Sequence, residues 1–207
     1  MDSLDAIASN RILHLVETHL HSAWMPPSSG SFKINVDGAL YPTKNRAGIG
    51  VVIKDLQGRF MAALCRKIKA PLQVLEVEAK AYKVGMLLAR HLGLRDGLLE
   101  GDSLTISNAL KGISVPPTSV AAIVEGIHVL GSEIDVVNFS HVRRSGNKPP
   151  HIRAIQALSF VNDVIWIEEI PCCIQQALIQ DVISLWCFIN NSLQCVYQEK
   201  KKNLKNK

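Results

Sequence analysis

Three apolar runs separated by short turns, followed by a run with a different period, constrain the fold of this chain most strongly. FKINVDGAL (32–40), AGIGVVIKDL (47–56) and RFMAALCRKI (59–68) have the composition of strands, and their short connections predict an antiparallel meander. From Gln73 to His91, apolar residues instead recur every three or four positions, which predicts an amphipathic helix. We therefore expect three neighbouring strands to precede a long helix in this part of the chain.

The following segments mix both kinds of element. Strands are predicted at 97–102 and 133–142, and helices at 103–112, 116–130 and 151–161. The resulting order βββαβααβα fits neither a pure meander nor a simple βαβ repeat. We therefore expect an α/β fold, in which helices cover the faces of a mixed sheet.

The length and composition predict one globular domain with extensions. The chain has 207 residues, of which 47% are hydrophobic and 20% charged, and this composition is typical of a folded domain. MPPSSGS breaks the pattern after a helix predicted over residues 1–24. We expect an N-terminal helix and Pro/Ser linker at 1–30, the main domain at 31–165, and a C-terminal extension at 166–207 with a basic, disordered end from Ser192.

Charge, cysteine content and hydrophobic segments argue against a strongly basic domain, a secreted disulfide-bonded protein and a membrane-spanning protein. The last nine residues contribute +4 of the net charge of +5, so the pI near 9.0 is weak evidence for nucleic-acid binding. The five cysteines are odd in number and lack C-x-x-C spacing, and we identify no secretory signal. We expect reduced thiols in an intracellular protein of the nucleus or cytoplasm. The apolar run 177–189 is interrupted by Gln180 and Asp181, and it is too short to cross a membrane.

Three carboxylates stand where an apolar pattern would not place them. Asp37 interrupts the first strand, Asp102 directly follows the fourth strand, and Glu78 adjoins the apolar stripe of the long helix. If the first and fourth strands are parallel neighbours, Asp37 and Asp102 meet at their carboxyl ends, within reach of Glu78. Each acid also has a simpler interpretation: a hairpin turn for Asp37-Gly38, a helix N-cap for Asp102, and a solvated helix position for Glu78.

A cluster of these acids requires a reason, because neighbouring carboxylates repel one another and raise each other's pKa. A divalent cation reverses that interaction. Mg²⁺ takes carboxylate oxygens and leaves positions for water and phosphate oxygens, and a pair of such ions supports hydrolysis of a phosphodiester. The pattern of residues leaves the choice between this reading and the simpler ones open.

Four ordered motifs give the chain a family resemblance. NVDGA, VEAKAYKVGMLLA, LLEGDSLTISNAL and HVRRSGNKPPHIRAIQAL resemble the type 1 ribonuclease H domain, in particular the plant branch related to the reverse transcriptases of non-LTR retroelements. WMPPSSGSFKINVDGA and WIEEIPCCIQQALIQD are similar to the segments that flank the domain in that branch. The resemblance covers roughly Trp24 to Asp181.

This resemblance implies a ribonuclease H-like fold with a five-stranded mixed sheet flanked by helices. It also implies hydrolysis of the RNA strand of RNA–DNA hybrids with Mg²⁺, or Mn²⁺ in its place. By motif position, the metal ligands would be Asp37, Glu78 and Asp102. Glu76 and Glu100 are close in sequence, but the register of the motifs selects the other two acids.

The fourth catalytic position departs from the family pattern. An Asp is expected four residues after Asn147, and this chain has His151 there. An imidazole suits zinc or iron better than magnesium, so His151 predicts a weaker second metal position, a role in proton transfer, or only a structural role at a helix start. The adjacent Pro149-Pro150 is also unusual for the motif.

Several polar residues around the acids are candidates for substrate binding. The basic loop RRSGNKPPHIR brings together four cations without an acid, which fits phosphate contacts or an ordinary solvated loop. The candidates are Asn45, Arg46, Ser103, Asn108, Arg143, Arg144, Asn147, Lys148 and Arg153. We expect the hybrid to be recognised by its 2′-hydroxyls and groove shape, without regard to base sequence.

The leading hypothesis is a magnesium-dependent endoribonuclease that acts on RNA–DNA hybrids. We expect it to be a monomer and not to bind membranes. One alternative is a catalytically weak or inactive nucleic-acid-binding domain derived from a retroelement, which His151 and Pro149-Pro150 favour. Another is a protein-interaction module, which predicts an exposed apolar patch around Trp186 and Phe188.

Overall fold

The computed structural model of the chain describes residues 24–27, 32–41, 45–134 and 137–205. The helix predicted over 1–24 lies outside them except for its last residue. The strands are β1 (Phe32–Tyr41), β2 (Arg46–Asp55), β3 (Phe60–Lys69), β4 (Gly97–Gly101), β5 (Val137–His141) and β6 (Val164–Ile167). The α-helices are α1 (Val74–His91), α2 (Leu104–Leu110), α3 (Ala121–Glu133), α4 (Lys148–Gln156) and α5 (Cys172–Lys205).

These strands form one mixed sheet in the order β5-β4-β1-β2-β3-β6. Strands β1, β2 and β3 form the predicted antiparallel meander, and β5, β4 and β1 are parallel to one another. The mixed α/β fold is therefore confirmed. The predicted count of five strands is wrong by one, because β6 adds an antiparallel strand at the edge of β3, across the expected domain boundary at residue 165.

Alternation along β1 separates two layers of the molecule. Phe32, Ile34 and Val36 face the main apolar core, where they pack with α1 and with residues of α2 and α3. This core follows from the sequence, since the apolar stripe of α1 can be buried only against the apolar side chains of the strands.

The opposite face of β1 carries Lys33 and Asn35, which are buried although they are polar. Lys33 Nζ and Asn35 Nδ2 each lie 3.0 Å from Glu100 Oε2 on β4, and Trp24 Nε1 donates to Asn35 Oδ1 at 3.1 Å. Because each of these contacts satisfies a group removed from water, the network fixes β1, β4 and the segment at Trp24 in one arrangement.

Helix α5 packs on this same polar face through a buried ion pair. Lys54 Nζ on β2 lies 2.6 Å from Asp181 Oδ2, and it also sits 4.1 Å from the centre of the Trp24 ring. Burial lowers the pKa of Lys54 and raises the pKa of Asp181, so desolvation opposes both charges while their attraction supports them. The helix continues to Lys205, where the sequence predicts a disordered end from Ser192. Among the described residues, no helix is both long and apolar enough to cross a membrane.

Removing one partner of the Lys54–Asp181 pair should destabilise the fold more than removing both. We expect Asp181→Ala to lower the free energy of unfolding by about 3–5 kcal/mol, because it leaves a buried lysine unpaired. The double variant Lys54→Met, Asp181→Leu should lie within about 1–2 kcal/mol of the parent. Urea denaturation followed by circular dichroism measures these differences.

The matched control is Arg59→Ala, which removes the Asp55–Arg59 pair, where the arginine side chain is 77% exposed. It should cost less than about 1 kcal/mol. Equal losses for Asp181→Ala and Arg59→Ala would contradict the importance of the buried pair for docking α5.

Candidate active site

The two aspartates lie where the parallel pairing of β1 with β4 ends, and we call this place at the carboxyl ends of the two strands the notch. The parallel pairing ends with Val36 opposite Gly101, so Asp37 and Asp102 are each the next residue after the last pair. Their predicted meeting at the carboxyl ends of parallel strands is confirmed. Asp37 is paired within β1, opposite Gly50 of β2, so the hairpin-turn interpretation of Asp37-Gly38 is wrong.

Glu78 reaches the notch because the N-terminal part of α1 approaches β1 very closely at Gly38. A Cβ at Gly38 would lie 2.7 Å from Val77 Cγ1 and 3.0 Å from the Val77 carbonyl carbon. Any larger residue would therefore push α1 away from the strand. The glycine after Asp37 thus places the Glu78 carboxylate over the ends of β1 and β4.

The three carboxylates converge as the resemblance implies. Ligand oxygens of Asp37, Glu78 and Asp102 all lie within 4.8 Å of one another. Burial, together with the charges of Asp37 and Asp102, raises the pKa of Glu78 to about 8. Burial likewise raises the pKa of Asp37 to about 7; the hydrogen bond from His151 opposes this rise and the charge of Asp102 adds to it.

The residues present fit a divalent cation. The donor set consists of carboxylate oxygens, which Mg²⁺ and Mn²⁺ prefer. Glu78 Oε2 is buried and has no hydrogen-bond partner among the described residues, although buried polar atoms are nearly always satisfied. A cation held between the three carboxylates would satisfy this atom and offset the repulsion.

Helix α4 brings His151 to the notch from the other face of the sheet. Gly50 permits this approach, since a Cβ there would lie 2.0 Å from the Pro150 carbonyl oxygen. His151 Nδ1 lies 2.9 Å from Asp37 Oδ2, and the protonated nitrogen can donate to that oxygen. His151 is therefore part of the site. Pro149 and Pro150 lie in the first turn of α4, as expected for prolines at a helix start.

Arg144 is the cation nearest to the acids in the described structure. Its Nη1 lies 4.0 Å from Asp102 Oδ2, and its Nη2 lies 3.2 Å from both ring nitrogens of His151. Its side chain is 67% exposed. Arg144 therefore compensates part of the negative charge and remains accessible to a phosphate.

Not every predicted substrate contact is available. Arg143, Lys148, Asn45 and Arg46 are exposed, and Ser103 is partly exposed at the N-cap of α2. Asn147, however, is fully buried. Its Nδ2 donates to the Val36 carbonyl at 2.8 Å, so it holds the basic loop against β1 instead of facing a substrate.

Arg153, another predicted contact, has an internal role. It is 1% exposed, and its guanidinium stacks 3.7 Å from the centre of the Trp166 ring, so a phosphate contact is wrong for this residue. Asn108 is half-buried on α2, and its role as a substrate contact stays a prediction.

The sequence reasoning missed the buried layer that supports the acids. Lys33 and Asn35 share one face of β1 with Asp37. This alternation of polar and apolar residues was the sequence signal from which a polar layer on that face could have been predicted. Glu100, rejected as a metal ligand on register, is instead the acceptor of that layer. Glu76 belongs to the capping box of α1 with Gln73.

Comparisons with known proteins agree with this geometry. A family model described as reverse transcriptase-like matches residues 35–157. The fold is similar to RNase H1 from the archaeon Halobacterium salinarum, with a TM-score of 0.58 and 22% identity over 62% of this chain and 97% of that one. No curated protein is significantly similar in sequence.

Two further structures share the fold. The N-terminal RNase H domain of a Mycobacterium tuberculosis protein has a TM-score of 0.57 and 21% identity, covering 63% of this chain and 95% of its own. LC11-RNase H1, solved with an RNA/DNA hybrid, has a TM-score of 0.57 and 20% identity, covering 62% and 96%. The architecture is therefore that of type 1 RNase H.

The pH dependence of stability tests the raised pKa of the Glu78 carboxyl group. Its pKa rises from 4.5 to about 8 on folding, so the folded state retains a proton that the unfolded chain releases between these values. With EDTA present, the free energy of unfolding should fall as the pH rises from 4.5 through 8. Glu78→Gln should remove this contribution, and at pH 9 it should be more stable than the parent by about 1 kcal/mol or more.

Glu125→Gln is the control, because Glu125 is an exposed carboxylate on α3. It should leave the pH profile of the parent unchanged in denaturation at pH 5, 7 and 9. A Glu78→Gln profile that parallels the parent would show that this carboxylate does not carry the predicted penalty.

Proposed function

Because this chain belongs to the reverse transcriptase-like family, whose model matches residues 35–157, we propose that it is a magnesium-dependent endoribonuclease. The proposed substrate is the RNA strand of an RNA–DNA hybrid. The convergence of Asp37, Glu78 and Asp102 within 4.8 Å carries this proposal, since three partly buried acids at one notch call for a cation. The solved structure of LC11-RNase H1 with an RNA/DNA hybrid supports the choice of substrate.

Asp37, Glu78 and Asp102 would hold Mg²⁺ or Mn²⁺ through their oxygens. When bound, the ion supplies Lewis-acid stabilisation of the negative charge that develops during displacement at phosphorus. The protein holds its carboxylates on rigid strands and a helix, so little reorganisation is needed. Water is the proposed nucleophile, with no covalent intermediate on the enzyme.

The exposed cations beside the acids suit the phosphate backbone. Arg143, Arg144 and Lys148 lie on the loop and helix start next to His151, and all three are exposed. Asn45, Arg46 and Ser103 are proposed further contacts to the sugar–phosphate chain. Since these groups would contact phosphates and 2′-hydroxyls, binding should depend on salt and on hybrid geometry, but little on base sequence. We propose that the protein acts as a monomer in the nucleus or cytoplasm.

Cleavage of a labelled RNA–DNA hybrid tests the proposal. With Mg²⁺ or Mn²⁺, the parent protein should cut the RNA strand at many positions, and EDTA should abolish cutting. Asp102→Asn should reduce the rate at least about 100-fold, because it removes a charged ligand from the site. Duplex DNA of the same sequence should remain intact.

Glu125→Gln, which changes an exposed acid of α3, should retain the full rate. Salt-sensitive binding of the hybrid without cleavage would replace the enzyme with a nucleic-acid-binding domain. Failure both to bind and to cleave the hybrid would overturn both functions.

A specific observation favours the second function, a catalytically weak nucleic-acid-binding domain. His151 Nδ1 lies within hydrogen-bonding distance of Asp37 Oδ2, at 2.9 Å, and this is an oxygen that a metal ion would also bind. A ring N–H there donates to the oxygen that a metal ion would need as a ligand. The chain therefore combines an acidic site with a hydrogen-bond donor that competes for one of its ligand oxygens.

Replacing His151 with aspartate should relieve this competition. We expect His151→Asp to raise the apparent Mg²⁺ affinity about tenfold, because a fourth carboxylate replaces a competing imidazole. Calorimetric titration measures the affinity, and the hybrid assay measures the rate. His151→Ala is the comparison: if both variants lose activity equally, His151 itself takes part in the reaction, in proton transfer or in holding the substrate.

A further inference from the structure

Helix α5 has an apolar stripe that faces solvent. Ile179, Val182, Ile183 and Trp186 are 59%, 54%, 47% and 66% exposed. Their spacing of three, one and three residues places them on one side of the helix. Ile174 and Asp181, which lie on the other side, are the buried residues that dock α5 on the domain. The stripe therefore points away from the sheet.

The sequence of α5 continues this stripe without charged residues. Ile189, Leu193 and Val196 extend the spacing of three and four, and no Asp, Glu, Lys or Arg occurs between Asp181 and Glu199. A solvated helix ordinarily carries charges on its outer face, and an apolar stripe of this length is typical of a helix that pairs with another. The stripe lies outside the family match at 35–157, so the catalytic domain does not explain it.

The position of Trp24 indicates what lies next to this stripe. The Trp24 ring is 4.1 Å from Lys54 Nζ, and Lys54 Nζ is 2.6 Å from Asp181 Oδ2 on α5. Residues 1–23 therefore join the domain at the level of residue 181 along α5, close to the N-terminal end of the stripe. Since this segment is tethered at that point, its effective concentration at the stripe is far above that of any free partner.

The N-terminal segment also has suitable length and chemistry. It contains the apolar residues Ile7, Ile12, Leu13, Leu15, Val16 and Leu20 at roughly helical spacing. As a helix, residues 1–23 would span about 34 Å, and α5 beyond Asp181 spans about 36 Å. Running back from Trp24 along α5, the acidic residues Asp2 and Asp5 would approach the basic run at 200–202.

We propose that residues 1–23 form an amphipathic helix that packs antiparallel to α5 and covers its exposed apolar stripe. Parallel pairing with the α5 helix of a second copy fits the stripe less well, because it would bring two copies of the lysine run at 200–202 together.

Hydrogen exchange on the full chain, read by mass spectrometry, tests this packing. In the parent protein, amides between residues 7 and 20 should exchange at least about tenfold more slowly than in an unstructured peptide. The double variant Val182→Glu, Trp186→Glu places two charges on the stripe and should abolish this protection. Gln180→Glu adds a charge to the flank of the same helix, at an exposed position, and should preserve it.

Amides of β1 and β2 serve as an internal reference, and their unchanged protection shows that the domain of each variant remains folded. Free exchange of residues 7–20 in the parent, or protection that survives in the double variant, overturns the proposal. Light scattering supplies the other arm. A concentration-dependent dimer that the double variant abolishes would assign the stripe to a second copy instead, and that result also overturns the proposal. Neither measurement depends on hydrolysis, so failure of the proposed nuclease activity is distinguishable from failure of this packing.

Discussion

Electrostatic repulsion among Asp37, Glu78 and Asp102 is the interaction around which this structure is arranged. Their oxygens lie within 4.8 Å of one another, and burial keeps water from screening them. Left to themselves, such groups would separate or take up protons. The parallel register of β1 and β4 and the close approach of α1 at Gly38 prevent separation. The fold thus holds an unfavourable interaction that a bound cation would relieve.

The rigidity needed to hold these acids comes from a second polar layer below them. Lys33 and Asn35 share a face of β1 with Asp37, and both contact Glu100, two residues before Asp102. A charged and fully hydrogen-bonded layer tolerates few alternative arrangements, because any shift would leave a buried group unsatisfied. Trp24 and Asp181, which lie outside the family match, both pack on this face: Trp24 donates to Asn35, and Asp181 pairs with Lys54. The flanking segments therefore contribute directly to the support of the site.

The sequence predicts the parts of this structure that depend on local pattern. The order of the elements from β1 to α4 follows from their periods, and the meeting of Asp37 with Asp102 follows from parallel strands. The sequence does not predict which polar residues are buried, since burial depends on partners distant in the chain. Arg153 and Arg144 belong to one basic run, yet Arg153 stacks on Trp166 while Arg144 remains exposed. Strand β6 was missed for a related reason: its four residues form a strand only because the edge of β3 is available.

His151 decides how far the acidic site differs from a purely carboxylate one. The imidazole reaches Asp37 because Gly50 lets α4 approach the sheet, so its position is built into the packing. Its Nδ1 lies 2.9 Å from Asp37 Oδ2, and Arg144 adds a positive charge beside Asp102. A metal ion would therefore compete with His151 for Asp37 Oδ2, whereas Glu78 Oε2 has no hydrogen-bond partner among the described residues. The histidine thus places a donor to an existing carboxylate where a further carboxylate would otherwise stand, so the contact between His151 and Asp37 is where this site departs from a purely carboxylate one.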